Sequence, residues 1–316
     1  MKKKLVSVLL TLMVVFSLAA CGFKRTEADK EIVVEKATNK ETVVEKAANK
    51  EMVSEETADR EVEGEKSTSE EPTELIIFAA ASMTETLTKI SELYKEENPN
   101  VELIFNFDSS GTLKTQIQEG AKCDLFISAG QKQMNQIDVH ADSEINKEGL
   151  DYVLEGTRID LLENKVTLCV SEISNSEIEN FDDLAAALKK GDILMAMGNS
   201  DVPVGQYTQK ILAYYELEEE ELASAGVISY GSNVKEVTTQ ILEGSVDCGI
   251  IYGTDAFSAG LKVKDYATAE MCGQVIYPAA VLNVSENQEL AKEFLVFIQT
   301  DACIKIFEEA GFSKVQ

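Results

Sequence analysis

The stretch LIIFAAASMTETLTKI, residues 75–90, decides how the rest of the chain is read. Residues 75–79 form an unbroken apolar run of strand length. Ser82 and Glu85 then stand three apart as in a capping box, and Met83, Leu87, Ile90 and Tyr94 follow at helical spacing up to Asn98-Pro99. A buried strand thus passes through small residues directly into an amphipathic helix.

The same unit recurs outward from this point. Strand-like runs lie at 101–107, 124–128, 165–170, 193–197, 226–230, 248–252 and 275–282. Helical spacing covers 111–119, 182–190 (closed by Gly191), 205–216 and 234–243. Two more helices are expected near Ser285, where Gln288 completes a second capping box, and near Asp301. Strands alternating with helices predict an α/β fold with mostly parallel sheets. In such sheets ligands sit beyond the carboxyl ends of the strands, at helix N-termini.

Before residue 74 the texture differs. Met1-Lys2-Lys3-Lys4 precedes sixteen uncharged residues, 5–20, and then Cys21-Gly22. A basic start, a short apolar run and small residues make a signal peptide over 1–20. Leu18-Ala19-Ala20-Cys21 resembles a bacterial lipobox, which implies lipidation of Cys21 and anchoring at the extracytoplasmic face of the cell membrane. Residues 31–70 are a degenerate ten-residue repeat (EIVVEKATNK, ETVVEKAANK, EMVSEETADR, EVEGEKSTSE) within a segment of 15 acidic and 9 basic residues, 22–73. So polar a stretch cannot bury enough surface to offset its ordering entropy, and 21–73 reads as a disordered tether.

The formal net charge of −27 argues against nucleic acid, because no basic stripe is present to displace counterions. Beyond Cys21 there are five cysteines, none at CxxC spacing, so neither a zinc nor a redox motif is supported. Cys169, Cys248 and Cys303 lie in apolar runs and read as small buried hydrophobes, while a Cys248–Cys272 bridge stays open. The one histidine, His140, sits in a polar loop, which leaves no His-based triad or multi-histidine metal site. GxGxxG, GxxxxGK[ST] and GxSxG are all missing, so the chain reads as a non-enzyme without a cofactor.

Four strand-to-helix junctions remain: the one at Ser82; Ser109-Ser110-Gly111-Thr112; Pro203-Val204-Gly205; and Ser232-Asn233-Val234. Each offers free backbone N–H groups and the positive end of a helix dipole. One alone reads as ordinary capping. Four converging on a cleft would cradle an anion without any cationic side chain.

The segments FAAASMTETLTKI, FDSSGTLKTQIQEGAKCDLFISAGQKQM, VPVGQY, GIIYGTDA and YPAAV together resemble the periplasmic molybdate-binding proteins of ABC importers, in order from about Leu75 to Phe312. The resemblance implies a two-lobed periplasmic-binding-protein-like fold of type II with a hinge. Lobe I is placed at 74–158 and 285–316, lobe II at 159–284. It implies an oxyanion, molybdate or tungstate, held by the hydroxyls and N–H groups of Ser82 and Ser110, the N–H groups of Val204 and Val234, and the Tyr252 hydroxyl. It also implies a monomer that works with an ABC permease and its ATPase subunit. Gly111 stands where the family often has another serine, and Val204 where alanine is common. Two other readings stay open: a binder of sulfate, phosphate or a small carboxylate, and a tethered surface adhesin. A carboxylate would favour an arginine for bidentate pairing, and the chain has only Arg25, Arg60 and Arg158. Residues 74–316 carry 41 acidic and 17 basic side chains, so long-range steering opposes any anion. Attraction must come from short-range dipoles in a closed, low-dielectric cleft.

Overall fold

The computed structural model describes residues 72–315; the leader, Cys21 and the repeats lie outside them. The chain opens with β1 (Thr73–Ala80), a 3-10 turn (Ala81–Met83), α1 (Thr84–Glu97), β2 (Val101–Asp108), α2 (Ser110–Gln118), β3 (Leu125–Ile127), α3 (Gln131–Asn135) and β4 (Ile159–Asn164). It then builds β5 (Val166–Val170), α4 (Phe181–Lys190), β6 (Met195–Gly198), α5 (Pro203–Tyr214), α6 (Glu219–Ser224), β7 (Ile228–Gly231) and α7 (Val234–Leu242). β8 (Cys248–Tyr252), α8 (Gly253–Ala259), β9 (Val263–Tyr266) and α9 (Ala269–Cys272) follow. The chain closes with β10 (Val275–Val281), α10 (Gln288–Phe297) and α11 (Asp301–Glu309).

Two five-stranded sheets result, ordered β2-β1-β3-β10-β4 and β7-β6-β8-β5-β9. Each centres on parallel pairs and adds antiparallel strands on one side, so four pairings are parallel and four antiparallel. The sheets are therefore mixed rather than mostly parallel. The antiparallel members are those the chain lays down as it crosses between sheets, where no helical crossover returns the strand to its starting edge. β4 and β10, assigned from sequence to lobe II, both belong to the first sheet. The chain crosses at Asn164-Lys165 and again at Gly273-Gln274.

Local rules explain most elements. β1 is buried on both faces from Ile77 onward because it lies inside its sheet, between β2 and β3. α4 starts at Asn180, whose side chain accepts from Asp183 N–H. It has acids in its first turn and Lys189 and Lys190 in its last. It ends at Gly191 with φ 73°, a left-handed position that suits glycine.

The two expected capping boxes do not form. Ser82 lies in the 3-10 turn with its hydroxyl engaged by Tyr277, while Glu85 pairs with Lys235, so α1 begins at Thr84 without a side-chain cap. The Ser285 hydroxyl donates to Asp124 and accepts from Asn287 N–H, and α10 begins only at Gln288. In both places a distant partner outcompetes the local cap. The described cysteines (Cys123, Cys169, Cys248, Cys272 and Cys303) are all free and buried, so Cys248 and Cys272 are not bridged. His140 is exposed, as its polar surroundings suggested.

Candidate functional site

The carboxyl ends of β1 and β2 in the first sheet, and of β6, β7 and β8 in the second, face one another across a small cavity. Its walls include Ser82, Ser110, Val204, Val234 and Tyr252, together with Asp108 and Ala129. The five residues singled out from sequence are thus brought together. All five are buried, none more than 4% exposed. The free space at its centre is small, about 10 Å³, which is room for about one water, so the walls stand nearly shut against one another.

Each wall residue arrives by a different local route. The 3-10 turn after β1 carries Ser82. At α2 the Ser109 side chain caps Thr112 N–H, which leaves Ser110 at the first helical position with its hydroxyl inward. Ser110 Oγ accepts from Ala129 N–H at 2.9 Å, so its own proton stays available to a guest. Pro203 opens α5 and has no N–H, which makes Val204 the first main-chain donor of that helix. At α7 Asn233 caps Glu236 N–H and Glu236 reaches back to Ser232 N–H, leaving Val234 N–H at the helix start.

Tyr252 ends β8 and stands edge-on to both Tyr207 and Tyr277, with ring centroids 6.4 and 5.8 Å away. Its hydroxyl donates to Ala129 O at 3.4 Å, a long bond that joins the two sheets. Burial, with the neighbouring acidic groups, pushes the Tyr252 and Tyr277 phenols well above their usual range, so both keep their protons and act as neutral donors.

Among the described residues, no lysine or arginine lines the cavity. The one described arginine, Arg158, is committed elsewhere: it binds Asp138, Gln131 and Asn135 at 2.6 Å each. Asp108 is the only charged wall residue among those described, and its Oδ1 accepts from Ser109 N–H at 2.7 Å and from Asn233 Nδ2 at 3.3 Å. The wall therefore offers hydroxyls and helix-start N–H groups, the donor set that suits a compact anion.

The sheets also meet directly around this cavity. A Cβ on Gly111 would lie 2.2 Å from Asp201 O, so only glycine allows the start of α2 to approach the loop before α5 so closely. Sequence reasoning treated Gly111 as a lost hydroxyl; its role here is close approach. It also missed Asp108, although that residue lies in the quoted FDSSGT motif. It missed Tyr277 and Asn164, which stand behind Ser82 and carried no local signal beyond the tyrosine of YPAAV.

A two-sheet α/β protein with a small donor-lined cavity between its sheets has the form of a solute-binding protein. Comparison with known families agrees: residues 75–313 match the bacterial extracellular solute-binding protein family, and the chain belongs to it. A Bacillus subtilis protein, YvgL, named as an ABC-transporter substrate-binding lipoprotein, is 30% identical over 247 residues, 78% of this chain and 88% of that one. The molybdate-binding protein ModA of Haemophilus influenzae is 29% identical over 243 residues, 76% of this chain and 90% of that one. Among solved structures, the periplasmic molybdate-binding protein of Azotobacter vinelandii shares the fold with a TM-score of 0.65 at 20% identity, over 77% of this chain and all of that one. The protein is a solute-binding component of an ABC transporter, not an enzyme.

Proposed function

We propose that this chain captures molybdate or tungstate outside the cytoplasm and delivers it to an ABC permease and its ATPase subunit. The observation that carries this reading is the wall itself: Ser82, Ser110, Val204, Val234 and Tyr252 converge on one small cavity, with no cationic side chain among the described residues that line it. A tetrahedral dianion needs donors on several sides at once, and hydroxyls and helix N–H groups from both sheets supply them. Similarity to ModA supports the choice of ion. In this reading Cys21 is the lipidated N-terminus, residues 22–73 are the tether, and the two crossings between sheets form the hinge on which the lobes close.

Ligand-linked stability tests it. Binding to the native state alone adds RT ln(1 + [L]/Kd), about 4 kcal/mol at a thousandfold excess over Kd. Molybdate should raise the melting temperature clearly while equal phosphate leaves it unmoved, because hydrogen phosphate carries a proton for which a wall of donors has little use. Equal shifts from both ions would count against the reading.

A further inference from the structure

Ser82 has one proton, and a hydroxyl can help an anion only if that proton points into the cavity. Its Oγ lies 2.9 Å from the Tyr277 hydroxyl, with either group able to donate. The direction is set further back. Lys165 N–H donates to Asn164 Oδ1 at 2.8 Å, which identifies the carbonyl end of that amide. The two hydrogens of Asn164 Nδ2 then go to Thr254 Oγ1 at 3.0 Å and to the Tyr277 hydroxyl at 3.1 Å. Tyr277 is fully buried and already accepts from Asn164, and Ser82 Oγ is the other atom hydrogen-bonded to its hydroxyl. Its proton therefore goes to Ser82, and the Ser82 proton is left for the cavity.

We infer that Tyr277, oriented by Asn164, is the positioning residue that fixes the Ser82 hydroxyl as a donor to the bound oxyanion. The chain starts at a main-chain N–H at the crossing between β4 and β5 and includes Thr254 of α8, so the orientation is set by both sheets together. Neither Tyr277 nor Asn164 lines the cavity, and the hydrogen bonds that lead from them to its wall pass through Ser82. The inference rests on the oxyanion reading of the cavity given above.

Tyr277→Phe and Asn164→Ala are each titrated with molybdate by calorimetry, in the otherwise unchanged chain and in a Ser82→Ala background. Each should weaken binding about threefold to tenfold while Ser82 is present, and less than about twofold once it is gone, since coupled residues share one effect. A residue that only supports the fold would cost the same in both backgrounds, and that result overturns the inference. So does no loss in either background, or a Ser82→Ala variant that binds as well as the parent. If the parent chain itself binds no molybdate, it is the oxyanion reading that fails. Two variants are used so that poor folding of one leaves the other to decide.

Discussion

Lys235, one residue after Val234 at the start of α7, donates to both carboxylate oxygens of Glu85 on α1, at 2.7 and 2.9 Å. The pair ties a helix of the second sheet to one of the first beside the cavity, and the Asn233–Asp108 bond runs parallel to it. Such a tie favours the closed arrangement without touching the guest. Glu85→Gln should weaken molybdate binding only about twofold to fivefold, chiefly through faster release, because a half-exposed ion pair is worth at most about 1 kcal/mol. Stopped-flow release kinetics would show it, and the effect should shrink at high salt.

Asp255 is the buried third member of this group. Lys235 Nζ stands 3.2 Å from its Oδ1, yet neither carboxylate oxygen has a well-aligned hydrogen bond. Burial, only partly offset by Lys235, raises its pKa from the ordinary 3.8 to about 6. The folded state therefore favours the protonated acid, so the benefit is full below pH 3.8 and is lost as pH rises toward about 6. That rise corresponds to about 3 kcal/mol at most. Asp255→Asn, which mimics the neutral form, should match the parent in melting temperature near pH 4 and exceed it increasingly up to pH 6–7, with a plateau above. A constant difference across that window would contradict the assignment.

Gly111 supplies a test of closure. Alanine is the better helix former, by up to about 1 kcal/mol, but its Cβ would meet Asp201 O at 2.2 Å. Gly111→Ala should leave the unliganded protein at least as stable and weaken molybdate binding roughly tenfold or more, because the guest must then work against a state that cannot shut. Paired melting and titration measurements separate the two effects, and unchanged affinity would show that this contact is not needed for binding.

The wall residues divide by the kind of donor they offer. Ser82→Ala, Ser110→Ala and Tyr252→Phe should each cost about 1–3 kcal/mol of binding, the range for hydrogen bonds to charged groups. Val204→Ala should cost little, since its contribution is main-chain N–H. Arg158→Met should also change affinity little, because its guanidinium is spent on Asp138, Gln131 and Asn135. If Arg158→Met abolished binding while both serine variants bound normally, the donor scheme would be wrong.

Much of this was legible in the sequence where physics is local. β1 shows as an apolar run, α4 as a capped and glycine-terminated helix, and the four helix starts as strings of small and hydroxyl residues. β4 was missed because IDLLEN mixes charged and apolar residues, being half-exposed along part of its length. α8 was missed because GTDAFSA is short and opens on glycine. The assignment of Ser82 and Ser285 to caps failed for a shared reason: their partners, Tyr277 and Asp124, lie 195 and 161 residues away. No window along the chain contains that competition. The mixed sheets have the same origin, since β4 and β10 pair across a separation filled by the whole second sheet.

The central claim is that a cationless, donor-lined cavity between the two sheets selects a tetrahedral dianion by size. Calorimetric titration of the same preparation with molybdate, tungstate, sulfate and phosphate tests this most directly. The account predicts one-to-one binding of molybdate and tungstate with similar affinity, at least about a hundredfold tighter than sulfate, which is more than about 2.7 kcal/mol. Phosphate should give no measurable heat. Sulfate or phosphate binding as tightly as molybdate, or no binding of any of the four, would contradict it.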